Sequence, residues 1–432
     1  MVASTSTTKD TIDEFGVGVE SECGKLDIVI MHRPGRELLR LTKDNLHHLL
    51  YDALPNIDQT HQSHDIFSQY LRQHGVHVLY LADLLLETLT ASVEARKHLI
   101  DGLIAHSHLN QPDQQQALST LRQWLLDRTP EQLAQDVIVG VSCSSDELGT
   151  SDHARELLKT KHLNHHYVIQ PLPNLLFMRD GFSIMEKNVF IWQMNKPARR
   201  NEPFLIQIIF QYHPCLSTSG LKLVEWRASK DHNNNDSDMP TIEGGDVAYI
   251  GNGVVMIGCS ERTNRAGIEA VARTGLFHRV IAINIPPNRC YMHLDTVLSS
   301  VGKHAFTLHG SLAETMEVFT LEKKDNDIEW LSHGCNVREA LGKVLNDPEL
   351  IFYDALDEET SVYEQRHCRH NVVVIDNYHV VTYAGSDCEK GIVTQMTESN
   401  ACQVGIIPIR GLLEGGGGAH CMTNAIRRRS MK

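Results

Sequence analysis

Residues 242–285 read IEGGDVAYIGNGVVMIGCSERTNRAGIEAVARTGLFHRVIAINI, and the order of signals in this stretch decides the fold. Two apolar runs, 247–250 and 254–257, flank Gly251-Asn252-Gly253, a turn sequence that favours a hairpin. Asn264 then stands where a helix needs its cap, Ile268, Val271 and Ala272 fall on one helical face, and Gly275 suits the helix end. The run 280–285 predicts a further strand. The unit is hairpin, helix, strand.

The same hairpin signal recurs at 182–185 with 189–192, at 296–299 with 305–308, and at 372–375 with 380–383. The last is followed by a helical stretch near 392–397 and a strand over 404–409. Near the start, 26–32 predicts a strand closed by Pro34-Gly35; a helix presents Ile66, Phe67, Tyr70 and Leu71 on one face, and after Gly75 a strand resumes over 76–81. Such repeated α/β modules predict a ring that buries a shared core, as propeller-like folds do, with loops converging at its centre. Between 84 and 166 the period becomes helical, including 115–126 and a helix opening at Thr129-Pro130, which predicts an all-helical insertion. Residues 231–240, with three consecutive asparagines, read as a solvated loop.

The chain has 432 residues, of which 41% are hydrophobic and 22% charged, enough to bury a large core. Asp plus Glu number 54 against 40 Lys plus Arg, and the net charge of −14 argues against a nucleic-acid partner. There is neither an apolar run long enough to span a membrane nor the basic flank and apolar core of a secretory signal, so a soluble cytoplasmic protein is expected. The 10 cysteines include no Cys-x-x-Cys pair, which argues against a zinc knuckle or a dense disulfide framework. His367-Cys368-Arg369-His370 lacks a second ligand pair at a recognisable spacing, and no metal site is expected.

Reactive residues fall at one address, just before or at the start of successive hairpins: Asp180 at the first, Glu243 and Asp246 at the second, His293 and Asp295 at the third. Equivalent positions of a ring point to one centre. Gly415 to Gly418 lead into Ala419-His420-Cys421, a run that lets backbone approach a ligand and delivers a thiol. Glu-Gly-Gly-Asp taken singly is a common turn, and arginines such as Arg199, Arg200 and Arg262 are more often surface ion-pair residues than ligands. Joint occurrence gives them weight. Carboxylates that accept paired N–H donors, a thiolate that attacks a central carbon and a histidine that protonates a leaving amine together suit a planar guanidinium cation.

Seven segments, in their order along the chain, carry a resemblance to the arginine deiminase family: His32-Arg33-Pro34-Gly35, 173–180, 196–200, 242–246, Ser260-Glu261-Arg262-Thr263, 292–296 and His420-Cys421-Met422-Thr423. The resemblance implies a pentein-like, pseudo-fivefold α/β propeller spanning 1–432 as one catalytic domain, with the helical insertion 84–166 inside it. It implies hydrolysis of L-arginine to citrulline and ammonia through a covalent thiouronium on Cys421, without metal or organic cofactor. Asp180 and Asp295 would bind the guanidinium, His293 would act as general acid and base, and Glu243 with Asp246 would support it. Asn174, Phe177, Arg199 and Arg262 would hold the amino-acid end of the substrate, with Asp246 and the Gly416 position also counted in the binding set. A small guanidino compound as partner and a homo-oligomeric state are expected.

The chain departs from the family in three places. Gly416 stands where the family usually has an arginine, five residues before the cysteine; Asn424-Ala425 replaces a usual proline; and Gly181 follows the aspartate. Three readings stay open: a free-arginine deiminase, a relative that uses another guanidino compound, a peptidyl arginine or an amine acceptor in amidino transfer, and a binder without catalysis.

Overall fold

In the computed structural model, which describes residues 7–107, 115–159, 167–227, 239–325, 327–385, 389–398 and 402–431, the chain turns back on itself through Gly251, Asn252 and Gly253, all at positive φ. That conformation is cheap for Gly and tolerable for Asn. It pairs Val247–Gly251 antiparallel with Val254–Cys259. The Asn264 side chain accepts from the Gly267 N–H and starts the helix Arg265–Arg273, after which Arg279–Asn284 returns parallel to Val254–Cys259. This is the module expected from 242–285.

Three more modules follow the same plan. Phe182–Met185 and Asn188–Ile191 form a hairpin, Asn201–Tyr212 the helix, and Lys222–Leu223 the parallel return. Leu298–Gly302 and Ala305–Leu308 are followed by Val337–Leu345 and Ile351–Tyr353. Val373–Asp376 and His379–Tyr383 are followed by Ile392–Glu398 and Gln403–Ile407. A further module joins the two ends of the chain: Asn424–Arg428 pairs antiparallel with Leu26–Met31, and the helix Ile57–Gln73 leads to His77–Tyr80, parallel to Leu26–Met31. Every residue of Leu26–Met31 is buried, and each such large apolar side chain contributes roughly 1.5–3 kcal/mol relative to exposure. Neighbouring modules touch: Leu298–Gly302 lies against Val373–Asp376, that strand against Leu26–Met31, and Asn424–Arg428 against Phe182–Met185.

Several details differ from the expectations. The strand expected over 76–81 is only His77–Tyr80, because a helix takes up Leu81. Ile66 is 40% exposed; the buried face of its helix is built from Thr60, Ser63, His64, Phe67 and Leu71. The expected all-helical stretch begins earlier, with Leu81–Ala91 and Val93–Ala105. It continues through Gln115–Leu126 and Pro130–Val139 to Ser145–Leu148 and Asp152–Leu158. It is not wholly helical, since Val141–Ser142 pairs antiparallel with Tyr167–Ile169. The hairpin Val318–Lys324 with Asp327–Ser332 extends the central module as an unforeseen addition. Most of the loop expected over 231–240 lies outside the described residues. No helix among the described residues is long and apolar enough to cross a membrane.

One buried apolar cluster runs from Leu85, Leu99 and Trp124 of the helical stretch through Phe182 to Ile28 and Cys421. Glu243, Asp246, His293 and Asp295 stand at short one-turn helices at the heads of two modules, and Asp180 stands in the turn before the hairpin Phe182–Met185. Two of these turns, Gly244–Asp246 and Leu294–Thr296, touch each other.

Candidate active site

The turn Gly244–Asp246 explains why this site needs glycine. A Cβ on Gly245 would lie 2.7 Å from His293 Nδ1 and 2.9 Å from Asp180 Oδ1, and one on Gly244 would lie 2.1 Å from the Arg179 carbonyl oxygen. Backbone here substitutes for a side chain's volume, so three loops close on one point. The Gly245 N–H donates to Asp180 Oδ1 over 3.1 Å, and the Gly244 N–H to the Asp180 carbonyl over 3.0 Å.

His293 sits between two carboxylates. Its Nε2 donates to Glu243 Oε2 at 2.8 Å, and its Nδ1 lies 3.6 Å from Asp180 Oδ1. Burial favours the neutral ring, yet Asp180, Glu243 and Asp246 outweigh burial and raise the His293 pKa to about 9. The imidazole is therefore charged at neutral pH. Burial would also raise the Glu243 carboxyl, but Arg262, His293 and Arg199 hold it down at about 2.

Cys421 faces the same point from the C-terminal side. Its Sγ is 3.5 Å from Asp295 Oδ2, and the Asn371 side chain donates to it from Nδ2 over 3.1 Å. Asn371 Oδ1 also accepts from the Cys421 N–H over 3.1 Å. A Cβ on Gly418 would lie 2.5 Å from that oxygen, so the glycine makes room for the asparagine. Burial, then Asp295 and Asp180, push the Cys421 thiol well above its ordinary pKa. The resting pair is thus a thiol and an imidazolium. Asp295 is held by His420, whose Nδ1 is 2.8 Å from Asp295 Oδ2 while its Nε2 is 2.9 Å from Glu22 Oε1. Burial raises the Asp295 carboxyl, but His420 and then His293 outweigh burial and lower it. Asp295 Oδ1 is buried without a hydrogen-bond partner among the described residues, an acceptor with free capacity.

Cys421, His293, Asp180, Asn174, Phe177, Arg199, Arg262 and Gly416 line one chamber. Glu243 stands behind His293, and Asp295 beside Cys421. Two of the expected binding residues are also engaged by protein groups. Arg199 is engaged by protein groups: it donates to Asp180 Oδ2 at 2.5 Å, to both Glu202 oxygens, and to the carbonyls of Asn174 and Phe177 at 3.2 and 3.1 Å. It positions Asp180 and the 174–177 turn. Asp246 accepts from the Leu294 N–H at 2.8 Å and the Ser260 hydroxyl at 2.7 Å, so it fixes the turn that carries His293. Arg262 is buried and donates to Glu243 Oε2 at 3.1 Å. The Asn174 amide donates to the Leu49 carbonyl, and Phe177 fills the space beside Gly415 and Gly417, where a Cβ would lie 2.6 and 2.3 Å from its ring.

Asp180, Glu243 and His293 offer ligand atoms within 4.8 Å of one another, a spacing a metal ion would accept. Arg199 is paired with Asp180 and Arg262 with Glu243, so both carboxylates already have cationic partners. Sequence reasoning missed Glu22, Glu202, His420 and Asn371 as members of the site. Only His420, next to Cys421, lay in a segment already singled out; the others belong to no local pattern.

A sequence model of a known family, described as arginine deiminase, matches residues 47–428. An arginine deiminase of Rhodococcus erythropolis is 34% identical over 419 residues, which cover 95% of this chain and 97% of the relative. One of Bacillus cytotoxicus is 33% identical over 427 residues, 96% of this chain and 99% of the relative. Among solved structures, SxtG, an amidinotransferase from Microseira wollei in the saxitoxin biosynthetic pathway, aligns with a TM-score of 0.53 at 12% identity, covering 96% of this chain and 98% of its own. That last likeness shows the pentein-like fold alone.

Proposed function

We propose, because this chain belongs to the arginine deiminase family and is therefore a hydrolase acting on C–N bonds of guanidino groups, that it converts L-arginine to L-citrulline and ammonia through a covalent thiouronium on Cys421. The observation that carries this reading is the placement of Cys421 Sγ and His293 on one chamber with Asp180, and with Asp295 3.5 Å from the sulfur. Carboxylates on both sides suit a planar cation whose carbon faces the thiol.

The guanidinium enters between Asp180 and Asp295, and Asp295 Oδ1 accepts one of its N–H groups. Its positive charge offsets the two carboxylates that keep the thiol protonated, so substrate binding itself favours the thiolate. Sulfur then bonds to the guanidino carbon. His293 gives its proton to the departing nitrogen, and the ammonia so formed carries away the thiol's proton as ammonium, which leaves the imidazole neutral. The result is a cationic thiouronium on sulfur, a neutral imidazole and one ammonium. Water then gives a proton to His293 as its oxygen bonds to the same carbon. The C–S bond breaks and the sulfur regains a proton. Citrulline leaves, and water's two protons have restored the imidazolium and the thiol. Glu243 and Asp180 hold the ring in place through both steps.

Mass spectrometry after incubation with L-arginine tests the reading. Citrulline and ammonia in equal amounts are expected. Absence of citrulline, with turnover of agmatine or an arginyl peptide instead, would overturn the substrate.

A further inference from the structure

Cys368, the cysteine of His367-Cys368-Arg369-His370, is used by no argument so far, and neither is Cys290. We infer that the two are a redox pair: an oxidant of the peroxide class joins them in a disulfide that slows the enzyme, and a thiol reductant reopens it.

Both are free thiols, and both line the wide cleft outside the chamber. One residue ties their backbones together: the Gln365 side-chain amide donates to the Cys290 carbonyl, and the Gln365 carbonyl accepts from the Cys368 N–H over 2.9 Å. The two turns converge on Gly416. Cys368 Sγ donates to the Gly416 carbonyl over 3.6 Å, and a Cβ on Gly416 would meet Met292 Cε and Arg289 Nη2, which flank Cys290 in the chain, at 3.5 and 4.0 Å. Cys368 stands at φ +53°, in the left-handed region that favours glycine or asparagine, yet the position holds a thiol.

The two thiols differ as such a pair requires, one open to solvent and one held beside it to resolve the first product. Cys290 is exposed, whereas Cys368 is 6% exposed. Burial, then Asp295, Asp52 and Cys290, push the Cys368 thiol up to about 12, so it is the poorer first nucleophile and lies near enough to Cys290 to feel its charge. The Cys290 thiolate attacks one oxygen of hydrogen peroxide, the O–O bond breaks, and the hydroxide released takes up the proton the thiol had given up. A sulfenic acid and one water result. The Cys368 sulfur then bonds to the Cys290 sulfur as the S–O bond breaks, and the Cys368 proton leaves with the hydroxyl as a second water. Two thiols are oxidised and one peroxide is reduced.

The disulfide acts on the site through short spans of chain. Cys290 lies three residues before His293, and Cys368 three before Asn371, whose amide donates to Cys421 Sγ. Joining the sulfurs draws together the turns on either side of the nucleophile. It also withdraws the Cys368 donor from the Gly416 carbonyl, at the head of the run that ends in Cys421. Displacement of a catalytic group by about 1 Å can cost on the order of a hundredfold in rate, so closure is read as lost turnover.

Mass spectrometry of the full-length chain, treated with hydrogen peroxide and then alkylated and digested, tests the pair. The expected product is two peptides joined through Cys290 and Cys368, lighter by two hydrogens than the reduced peptides together and parted by dithiothreitol. The same product is expected in Cys421→Ala, so this readout does not depend on turnover. Cys368→Ser is expected to stop at the Cys290 sulfenic acid, which dimedone traps. Citrulline formation from L-arginine by the treated parent is expected to fall by about tenfold or more and to return with dithiothreitol. Cys290→Ser is expected to match the parent before treatment and to lose less than about threefold after it, because Cys421 is itself a buried thiol with a raised pKa. No joined peptide in either chain, a joined peptide without loss of turnover, or a Cys290→Ser chain inactivated as fully as the parent would each overturn the inference. If the untreated chain makes no citrulline while the joined peptide forms, the proposed reaction fails and the thiol pair stands.

Discussion

The side-chain amide of Asn371 donates to Cys421 Sγ over 3.1 Å while its oxygen accepts from the Cys421 N–H. One residue therefore both holds the nucleophile's backbone and lies ready to stabilise its anion. Asn371→Ala should raise the thiol pKa further and lower kcat by about tenfold to a hundredfold, the range for losing one hydrogen bond to a charged group. The rate of alkylation by iodoacetamide against pH, measured beside kcat, checks this. A kcat and alkylation profile equal to the parent's would refute the role.

Arg199 lines the chamber and is engaged by protein groups, and its variants separate positioning from binding. The side chain joins Asp180, Glu202 and two carbonyls of the 174–177 turn in a buried network. Arg199→Met would leave those carboxylates without their cation, and loss of one partner of a buried pair costs on the order of 3–5 kcal/mol. Urea denaturation should register that loss. Arg199→Lys keeps the charge but not the fork, so it should retain more stability and still lose kcat, because Asp180 is no longer held. A Met variant as stable as the parent would contradict the account.

The modules were legible because their signals are local. The turn Gly251-Asn252-Gly253 and the cap Asn264 act within a few residues of themselves. The strand Asn424–Arg428 was not, since what makes it a strand is pairing with Leu26–Met31 at the other end of the chain, and its own two arginines look like a surface segment. The same divide runs through the site. Asp180, Glu243, His293 and Asp295 were found because each heads a repeated hairpin. Whether an arginine is free or engaged depends on what folds against it, and nothing near Arg199 in sequence announces that it fixes Asp180. The groups that Asp246 holds, the Ser260 hydroxyl and the N–H of Leu294, likewise meet it only in the folded chain. Glu22 reaches Asp295 through His420, a contact across almost the whole chain.

The raised pKa of His293 predicts a pH dependence with a definite sign. Its folded value of about 9 lies above the ordinary 6.5, so charging the ring contributes stability that is fully present below pH 6.5 and is lost as pH rises through about 9. Thermal denaturation should show stability falling across that window, and His293→Gln should flatten the slope. Because the proposed acid is the imidazolium, kcat/KM of the ligand-free enzyme should also fall above about pH 9. A parent slope that survives unchanged in His293→Gln would assign the titration to another group.

Gly245 supplies the most stringent test of how closely the loops must approach. Its Cβ, if present, would stand 2.7 Å from His293 Nδ1 and 2.9 Å from Asp180 Oδ1, and neither partner can yield freely: His293 is fixed by Glu243 from behind and Asp180 by Arg199. Gly245 φ is not among the positive values, so an alanine there meets no backbone penalty and only the contact acts. Gly245→Ala should push His293 and Asp180 apart, and displacement of a catalytic group by about 1 Å can cost on the order of a hundredfold in rate. The expected result is a kcat reduced by about that factor, with the stability loss confined to about 1–3 kcal/mol, the usual cost of overpacking. Full activity in Gly245→Ala would mean that the loops are looser than these distances imply, and that the His293–Asp180 spacing does not set the rate.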